Sequence, residues 1–485
     1  MTKESLKREI TITSFGGAGG AVTGSCHLLE SGKNKVIVDM GQFLGRDDLA
    51  QMKRKNARGD EILNKISEGN PPILITHSHI DHFGFLPAYF RRGHKPVVYA
   101  TKEAVQLMES SLYRSARAQR KFVFKNSVAF DSDDVTKTLN NVQIVEPFEE
   151  IPITKDKKIR ATFCLNGHTP DSTSILLKDR STGKNILFTG DMGRPTQLVT
   201  GGYNRFSDRF PQDPINILVT ESTCFPDTSV PFDERVAMFQ REINEAFDRG
   251  SPVLMPCIQH RYMENLEIIN RSQKEGKIPK KITFYRDGPA LADISEVYKN
   301  YSPDCFTASY GNNPDCYKPE DVKNRFRLDN LQIISDHEKS LFFSRELGKQ
   351  KGKTIIFTSG GMGDDGRALN YLGNNNYIKN SRNTVIFSCY QVPGTLGADL
   401  LQKQRDPCYR SARIVKLEGG SSHATGADEI FGFHQRFNLM ELERIVIVHG
   451  EEESRKLMET KLRETVYGEY ASIKLPDIGE RVELN

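Results

Sequence analysis

The sequence predicts an α/β protein built in two blocks. Short apolar runs in the first third each end near a polar residue or glycine, and strand-like and helix-like segments alternate regularly from about residue 205. The 485-residue length also exceeds what one hydrophobic core usually serves. Apolar residues make up 37% and charged residues 27%, mixed along the chain, which is a globular composition.

In chain order, EITITSF, SCHLLE, KVIVD and PPILIT read as strands, followed by IRATFCL, STSILL and KNILFT. Their tips carry Gly, Asp, Asn or His, so catalytic groups are expected at strand ends. Helical periodicity interrupts them at GFLPAYFRRG and KEAVQLMESSLYRSARAQR. The Gly-rich FGGAGGAVTG lacks G-x-G-x-x-G spacing and leads into another strand, which argues against a dinucleotide loop. From about residue 205, NILVTE, FDERVAMFQREINEAF, PVLMP, RYMENLEIINRSQ, KITFYRD, ALADISEVYKNY, SLFFSRELGKQ and TIIFTSG alternate as a parallel α/β unit. RIVKLEGGSSH and ERIVIVHG then return to strands with polar tips, and EEESRKLMETKLRETV reads as a closing helix. No fixed-period repeat or low-complexity linker separates the blocks. The expected arrangement is one domain from 1–204 and 396–485, with a second, 205–395, inserted in it.

No stretch reaches the roughly 18 uncharged apolar residues of a membrane helix, and the N-terminus lacks an apolar signal region. A cytoplasmic protein without membrane association is expected. Eight scattered cysteines without a C-x-x-C pair suit neither a zinc ribbon nor a disulfide scaffold. A net charge of +4 is too small to name a polyanionic partner. The basic run YRSARAQRKFVFK (113 to 125) suits a phosphate contact and a solvated helix face about equally.

The segment ILITHSHIDHFG carries the most chemistry. An apolar strand runs straight into His77, His79, Asp81 and His82. Alternate residues at a strand end present His77 and His79 together, and the following turn aims Asp81 and His82 elsewhere, so the segment can serve two adjacent metals. A single H-x-H is more often a solvated turn, but four ligating side chains in six residues reverse those odds. Imidazole and carboxylate without thiolate suit catalytic zinc, and manganese or iron also accept such donors. His168, Asp191 and His449 occupy equivalent tips after later strands. Each alone would be read as a cap or a satisfied polar residue, so their weight is collective.

In order and context, Asp39, the H-x-H-x-D-H of 77 to 82, His168 and Asp191 resemble the motifs of the metallo-β-lactamase fold. Glu221 in LVTEST, SGGMGDDG (359 to 366), YQVPGTLG (390 to 397), His423 in EGGSSHATG and His449 in VIVHGE resemble its β-CASP subgroup of nucleic-acid-processing nucleases. The resemblance spans nearly the whole chain. It implies a metallo-β-lactamase αββα sandwich with an inserted α/β β-CASP domain that caps the active-site cleft. It also implies two zinc ions, one held by His77, His79 and His168 and the other by Asp81, His82 and His449. Asp191 would bridge them, and Asp39 would orient the metal-binding loop from behind. Two such metals can share a water, lower its pKa and clamp the oxygens of an in-line displacement, which suits phosphodiester hydrolysis.

The resemblance further makes His423 the proton donor to the leaving 3′-oxygen, held by Glu221, because a carboxylate neighbour favours the protonated imidazole. Ser359, Gly360, Gly361, Ser421, Ser422 and Arg261 would contact substrate phosphates, although Gly-rich loops often only turn the chain. A histidine at 449, where DNA-acting members usually carry an aliphatic residue, favours single-stranded RNA. Two departures from the family pattern stand out: ATGAD after His423 displaces Asp428, and CIQHR replaces a smaller apolar run before Arg261. With no room for an appended RNA-binding domain, substrate capture is expected to use the interdomain cleft or a partner; a homodimer is left open. Endonucleolytic and 5′-to-3′ exonucleolytic cleavage both fit. Hydrolysis of DNA, a cyclic nucleotide or a thioester, and a non-catalytic role in a processing complex, are the competing readings.

Overall fold

Side chains alternating between two buried faces organise the first strands. The computed structural model describes residues 9–45, 50, 63, 66–122, 130–228, 230–300, 326–347, 352–373, 375–406, 408, 411–417 and 422–484. Before the insertion lie β1 (Ile10–Gly16), β2 (Cys26–Ser31), β3 (Asn34–Val38), β4 (Ile73–Leu74), β5 (Val98–Thr101), β6 (Val142–Val145), β7 (Glu150–Pro152), β8 (Ile159–Leu165), β9 (Thr173–Asp179), β10 (Lys184–Phe188) and β11 (Ile217–Glu221). Next come β12 (Val253–Cys257), β13 (Thr283–Asp287), β14 (Leu331–Ile334), β15 (Thr354–Ser359), β16 (Thr384–Phe387) and β17 (Arg413–Lys416). The chain closes with β18 (Arg444–Val448), β19 (Ser472–Lys474) and β20 (Arg481–Glu483).

The chain divides into two compact units. The first comprises Met1–Pro195, Gly202–Asp227 and His423–Asn485; the second comprises Thr196–Gly201 and Thr228–Ser422. The first unit holds two seven-stranded sheets, ordered β20-β1-β2-β3-β4-β5-β6 and β19-β18-β11-β10-β9-β8-β7. Alternate side chains fill the space between them: Ile10, Ile12, Ile175, Leu177, Ile186, Phe188, Ile217, Val219, Val446 and Val448 share one buried cluster. The intervening residues Leu176, Leu187, Leu218, Ile445 and Ile447 point the other way and pack against Ile430, Phe433, Met458 and Leu462 of helices. On the outer face of the first sheet, Leu28 and Ile37 meet Met108 and Leu112 of the helix Lys102–Phe122. The order helix, sheet, sheet, helix is the αββα sandwich expected.

The second unit is a wholly parallel six-stranded sheet ordered β14-β13-β15-β12-β16-β17. Beyond the short piece Thr196–Gly201, the long segment of the second unit runs from Thr228 to Ser422, against the expected 205 to 395. NILVTE forms β11, which lies between β10 and β18 in parallel register and so belongs to the sandwich. RIVK forms β17, which pairs with β16 in the inserted sheet. A short apolar strand with a polar tip has the same pattern in either sheet, so pairing decides where it goes.

Among the described residues, no helix is long and apolar enough to cross a membrane. The basic run of 113 to 125 continues the helix Lys102–Phe122 and then passes outside the described residues.

Candidate metal centre and acid pair

The candidate ligands follow the carboxyl ends of β4, β8, β10 and β18, and Asp39 that of β3, which the topology brings to one edge of the sandwich. β8, β10, β11 and β18 run in the same direction, with only β9 opposed among them. Donor atoms of His77, His79, His168 and Asp191 lie within 4.8 Å of one another, and so do those of Asp81, His82 and His449. His77 Nε2 is 2.9 Å from His79 Nδ1, which is 3.2 Å from His168 Nε2. His82 Nε2 is 3.1 Å from His449 Nε2. The Asp191 carboxylate stands between the groups, with Oδ2 3.5 Å from His77 and 3.7 Å from His168, and Oδ1 3.3 Å from His82.

This donor set fits divalent cations. Imidazole nitrogens at 2.9 to 3.2 Å from one another cannot all be satisfied by mutual hydrogen bonds, since neutral imidazole has one donor and one acceptor. Oδ1 of Asp191 is buried and accepts no well-formed hydrogen bond among the described residues. Burial first, and the neighbouring His82 and His79 next, hold His77 well below the usual histidine pKa, in the neutral form that ligates. Burial alone would raise the pKa of Asp191, but His449, His82 and His423 hold it well below the carboxylate range.

The supports behind these ligands are as specific as the ligands. Asp39 Oδ2 lies 2.7 Å from His82 Nδ1, and Oδ1 accepts the Thr76 N–H at 2.8 Å. The Thr76 hydroxyl donates to Asp39 Oδ2 at 2.9 Å and lies 3.1 Å from His77 Nδ1. Asn166 donates to the carbonyl of Asp191 at 2.8 Å, and its Oδ1 accepts the His168 N–H at 3.2 Å. The Thr223 hydroxyl lies 2.8 Å from His449 Nδ1 and donates to the His449 carbonyl at 2.9 Å. Asp39 and His449 have left-handed backbones, φ 62° and 50°, an uncommon conformation for non-glycine residues that their surroundings hold in place. Gly41 is needed for space, since a Cβ there would fall 1.6 Å from the Asp81 carbonyl oxygen.

Beside the ligands, His423 forms a bridge with Gly193 and lies 3.7 Å from Asp191 Oδ2 through Nε2. Its Nδ1 faces both oxygens of Glu221, at 2.9 and 3.2 Å. Glu221 ends β11 fully within the sandwich and also accepts the N–H of Met192. Burial opposes the charged imidazole, but Glu221 and then Asp191 outweigh it and push His423 up to about 9. Asp428 sits in the first turn of the helix Gly426–His434, and His423 takes Glu221 as its carboxylate partner.

The residues proposed for phosphate contact are differently placed. Ser359 ends β15, and its hydroxyl accepts the Arg367 N–H at 3.3 Å. Gly360 has φ 93°, and the Gly361 carbonyl accepts from Gln391 at 3.1 Å. Arg261 is buried, with Nε donating to the Ser388 carbonyl at 2.6 Å and Nη1 against the Glu264 carboxylate. The Ser422 carbonyl accepts from Gln197 at 2.6 Å, while Ser421 lies outside the described residues. Sequence reasoning missed Thr76, Asn166 and Thr223. Each is a short polar residue within two positions of a ligand or of Glu221, which is the only signal they carry.

Comparison with known proteins agrees with the fold. Residues 19–218 match the metallo-beta-lactamase superfamily, and residues 264–400 match the Beta-Casp domain. The chain belongs to the metallo-β-lactamase superfamily, in its β-CASP subgroup. Among β-CASP relatives, it is 27% identical to Ribonuclease TTHA0252 of Thermus thermophilus, over 90% of this chain and 92% of that protein. It is 26% identical to the Probable RNase MJ4 of Methanocaldococcus jannaschii, over 97% and 99% respectively. The Transcription termination factor FttA of Methanosarcina mazei is 23% identical, over 92% of this chain and 67% of that one. A crystal structure of a protein of unknown function from Enterococcus faecalis shares the fold, with a TM-score of 0.52 and 13% identity over 98% of this chain and all of that one. The fold of this family and the cluster described above, which is able to hold metal ions, support a divalent metal cofactor.

Proposed function

We propose that this chain is a zinc-dependent ribonuclease that hydrolyses single-stranded RNA, and the observation that carries the reading is the His423–Glu221 pair aimed at the metal-ligand cluster. A ligand cluster alone would fit many hydrolases. A buried imidazole kept protonated next to it adds a proton source for a poor alkoxide leaving group, which phosphodiester cleavage requires. Relatives that span nearly the full chain and are named as ribonucleases support the same substrate.

His77, His79, His168 and Asp191 would hold one zinc, and Asp81, His82, His449 and Asp191 the other. When bound, the pair supplies an activated water and neutralises charge on the phosphate. The remaining work belongs to the chain. Thr223 fixes the ring of His449, Asp39 fixes that of His82, and Asn166 ties the His168 backbone to that of Asp191. His423 donates its Nδ1–H to Glu221, so Nε2–H is the proton that passes to the leaving 3′-oxygen. Ser359, Gly360, Gly361, Ser421 and Ser422 would receive phosphates through backbone N–H groups and hydroxyls. Arg261 would have to exchange its Glu264 and Ser388 partners to do the same. A cytoplasmic setting belongs to this reading.

The test is cleavage of 5′-labelled single-stranded RNA and the matching DNA by zinc- or manganese-loaded protein, beside His423→Ala and His77→Ala/His79→Ala. RNA cleavage lost in the ligand variant and strongly reduced in His423→Ala supports the mechanism, and product length separates endonuclease from exonuclease. Metal-loaded wild type that cuts neither nucleic acid would sink it.

A further inference from the structure

We propose that Asp171 is a positioning residue that clamps the ligand set His77, His79 and His168. The inference rests on the metal reading above and goes beyond it by tying the two histidine loops of one metal position to a single buried carboxylate.

Asp171 is fully buried. Its Oδ2 accepts the backbone N–H of Ser78 at 2.8 Å, between His77 and His79 in the chain. Its Oδ1 accepts the hydroxyl of Thr169 at 2.9 Å, next to His168. One carboxylate therefore grips a direct neighbour of all three ligands, on two loops that are 89 residues apart between His79 and His168. The loops are stitched further by the Thr173 N–H and hydroxyl, which both donate to the Thr76 carbonyl, at 2.9 and 3.0 Å. The Asp171 carbonyl accepts from Thr101 on β5 at 3.3 Å, which fixes the clamp to the sandwich. Asp39 bonds directly to His82 in the other set and reaches this one through the Thr76 hydroxyl, 3.1 Å from His77 Nδ1. A buried carboxylate is costly to keep charged, and a cation held by three neutral imidazoles nearby would offset that cost. The short Asp171 side chain acts through Ser78 and Thr169, which makes the spacing of the two histidine loops its product.

The experiment measures zinc bound per full-length chain against a chelator of known affinity. The proteins are wild type, Asp171→Ala, Asp171→Asn, His77→Ala, His449→Ala and the doubles of Asp171→Ala with each histidine variant. Asp171→Ala should weaken one of the two zinc ions roughly 10- to 100-fold, the usual effect of losing an outer partner. Added to His77→Ala it should cost nothing further, whereas added to His449→Ala it should leave no tight zinc. Asp171→Asn keeps an acceptor for Ser78 and should recover part of the loss. Melting of the metal-free proteins identifies folding damage; if Asp171→Ala does not fold, Asp171→Asn and Thr169→Val carry the comparison. Two tight zinc ions in Asp171→Ala, or equal weakening of both, overturns the clamp. Wild type that binds no zinc overturns the metal reading itself, whatever Asp171 does.

Discussion

Replacing Glu221 with glutamine separates the charge of this residue from its place in the structure. The amide oxygen can still accept from His423 Nδ1, where the carboxylate oxygens now sit at 2.9 and 3.2 Å, so the ring keeps its aim. What is lost is the largest of the influences that raise the pKa of His423. An opposite charge at this range is worth about 1 to 3 pKa units, or about 1.4 kcal/mol per unit. With wild-type His423 near 9, the acid form persists through neutral pH and is lost as the pH rises through that value. In Glu221→Gln the loss should therefore begin about 1 to 3 units lower. The assay is kcat for cleavage of labelled RNA between pH 6 and 10, with zinc content checked at each pH. Near pH 6 the variant should retain about half or more of the wild-type rate, while at pH 8.5 it should fall about 3-fold for a shift of one unit and about 20-fold or more for a shift of two to three. The same sign applies to stability: the raised pKa stabilises the fold below the ordinary histidine value, and that contribution disappears as the pH climbs through about 9. An alkaline limb that does not move, with the rate lowered equally at all pH values, would mean that Glu221 only supports structure.

Other perturbations discriminate between roles. His423→Ala should lower kcat by about 10²- to 10⁴-fold with zinc content unchanged, as expected for loss of a general acid. Asp39→Ala should weaken zinc about 10- to 100-fold, read by chelator competition, because Thr76 and His82 lose the carboxylate that fixes them. Chelation should abolish cleavage and lower the melting temperature, since it removes ligands that bind only the folded chain; readdition of zinc should restore both. Arg194→Ala should cost about 3 to 5 kcal/mol in denaturant unfolding, because it removes the cation that the buried Glu429 carboxylate meets at 2.8 Å, while the neutral Thr425 N–H remains.

The chemistry was legible because it is written in short runs. Four candidate ligands within 77 to 82 announce themselves, and His168, Asp191 and His449 each follow an apolar strand whose alternation between two buried faces is also local. The limits of the insertion were not legible. Whether NILVTE and RIVK join the sandwich or the parallel sheet depends on partners far away in the chain: β11 meets β18, and β17 meets β16. Thr76, Asn166, Asp171 and Thr223 were hidden for a different reason. Their side chains act on the backbone or ring of a neighbour, and a short polar residue near a strand end has the same composition whether it caps a turn or holds a ligand.

The two sheets of the sandwich are joined by packing along most of their length, but at the ligand edge they are joined by polar groups. Asp39, His77, His79, Asp81 and His82 follow strands of the first sheet, whereas His168, Asp191 and His449 follow strands of the second. Two divalent ions bound there would cross-link the sheets where apolar side chains give way to histidine and carboxylate. This edge should consequently be the first to loosen when metal is removed, ahead of the Ile10–Ile12 and Val446–Val448 core. Hydrogen exchange at Thr76, Ser78 and His449, whose amides donate to Asp39, Asp171 and Gly17, should accelerate on chelation while amides in the middle of β9 and β10 hold. Uniform acceleration across both sheets would show instead that the centre and the apolar core unfold as one cooperative unit.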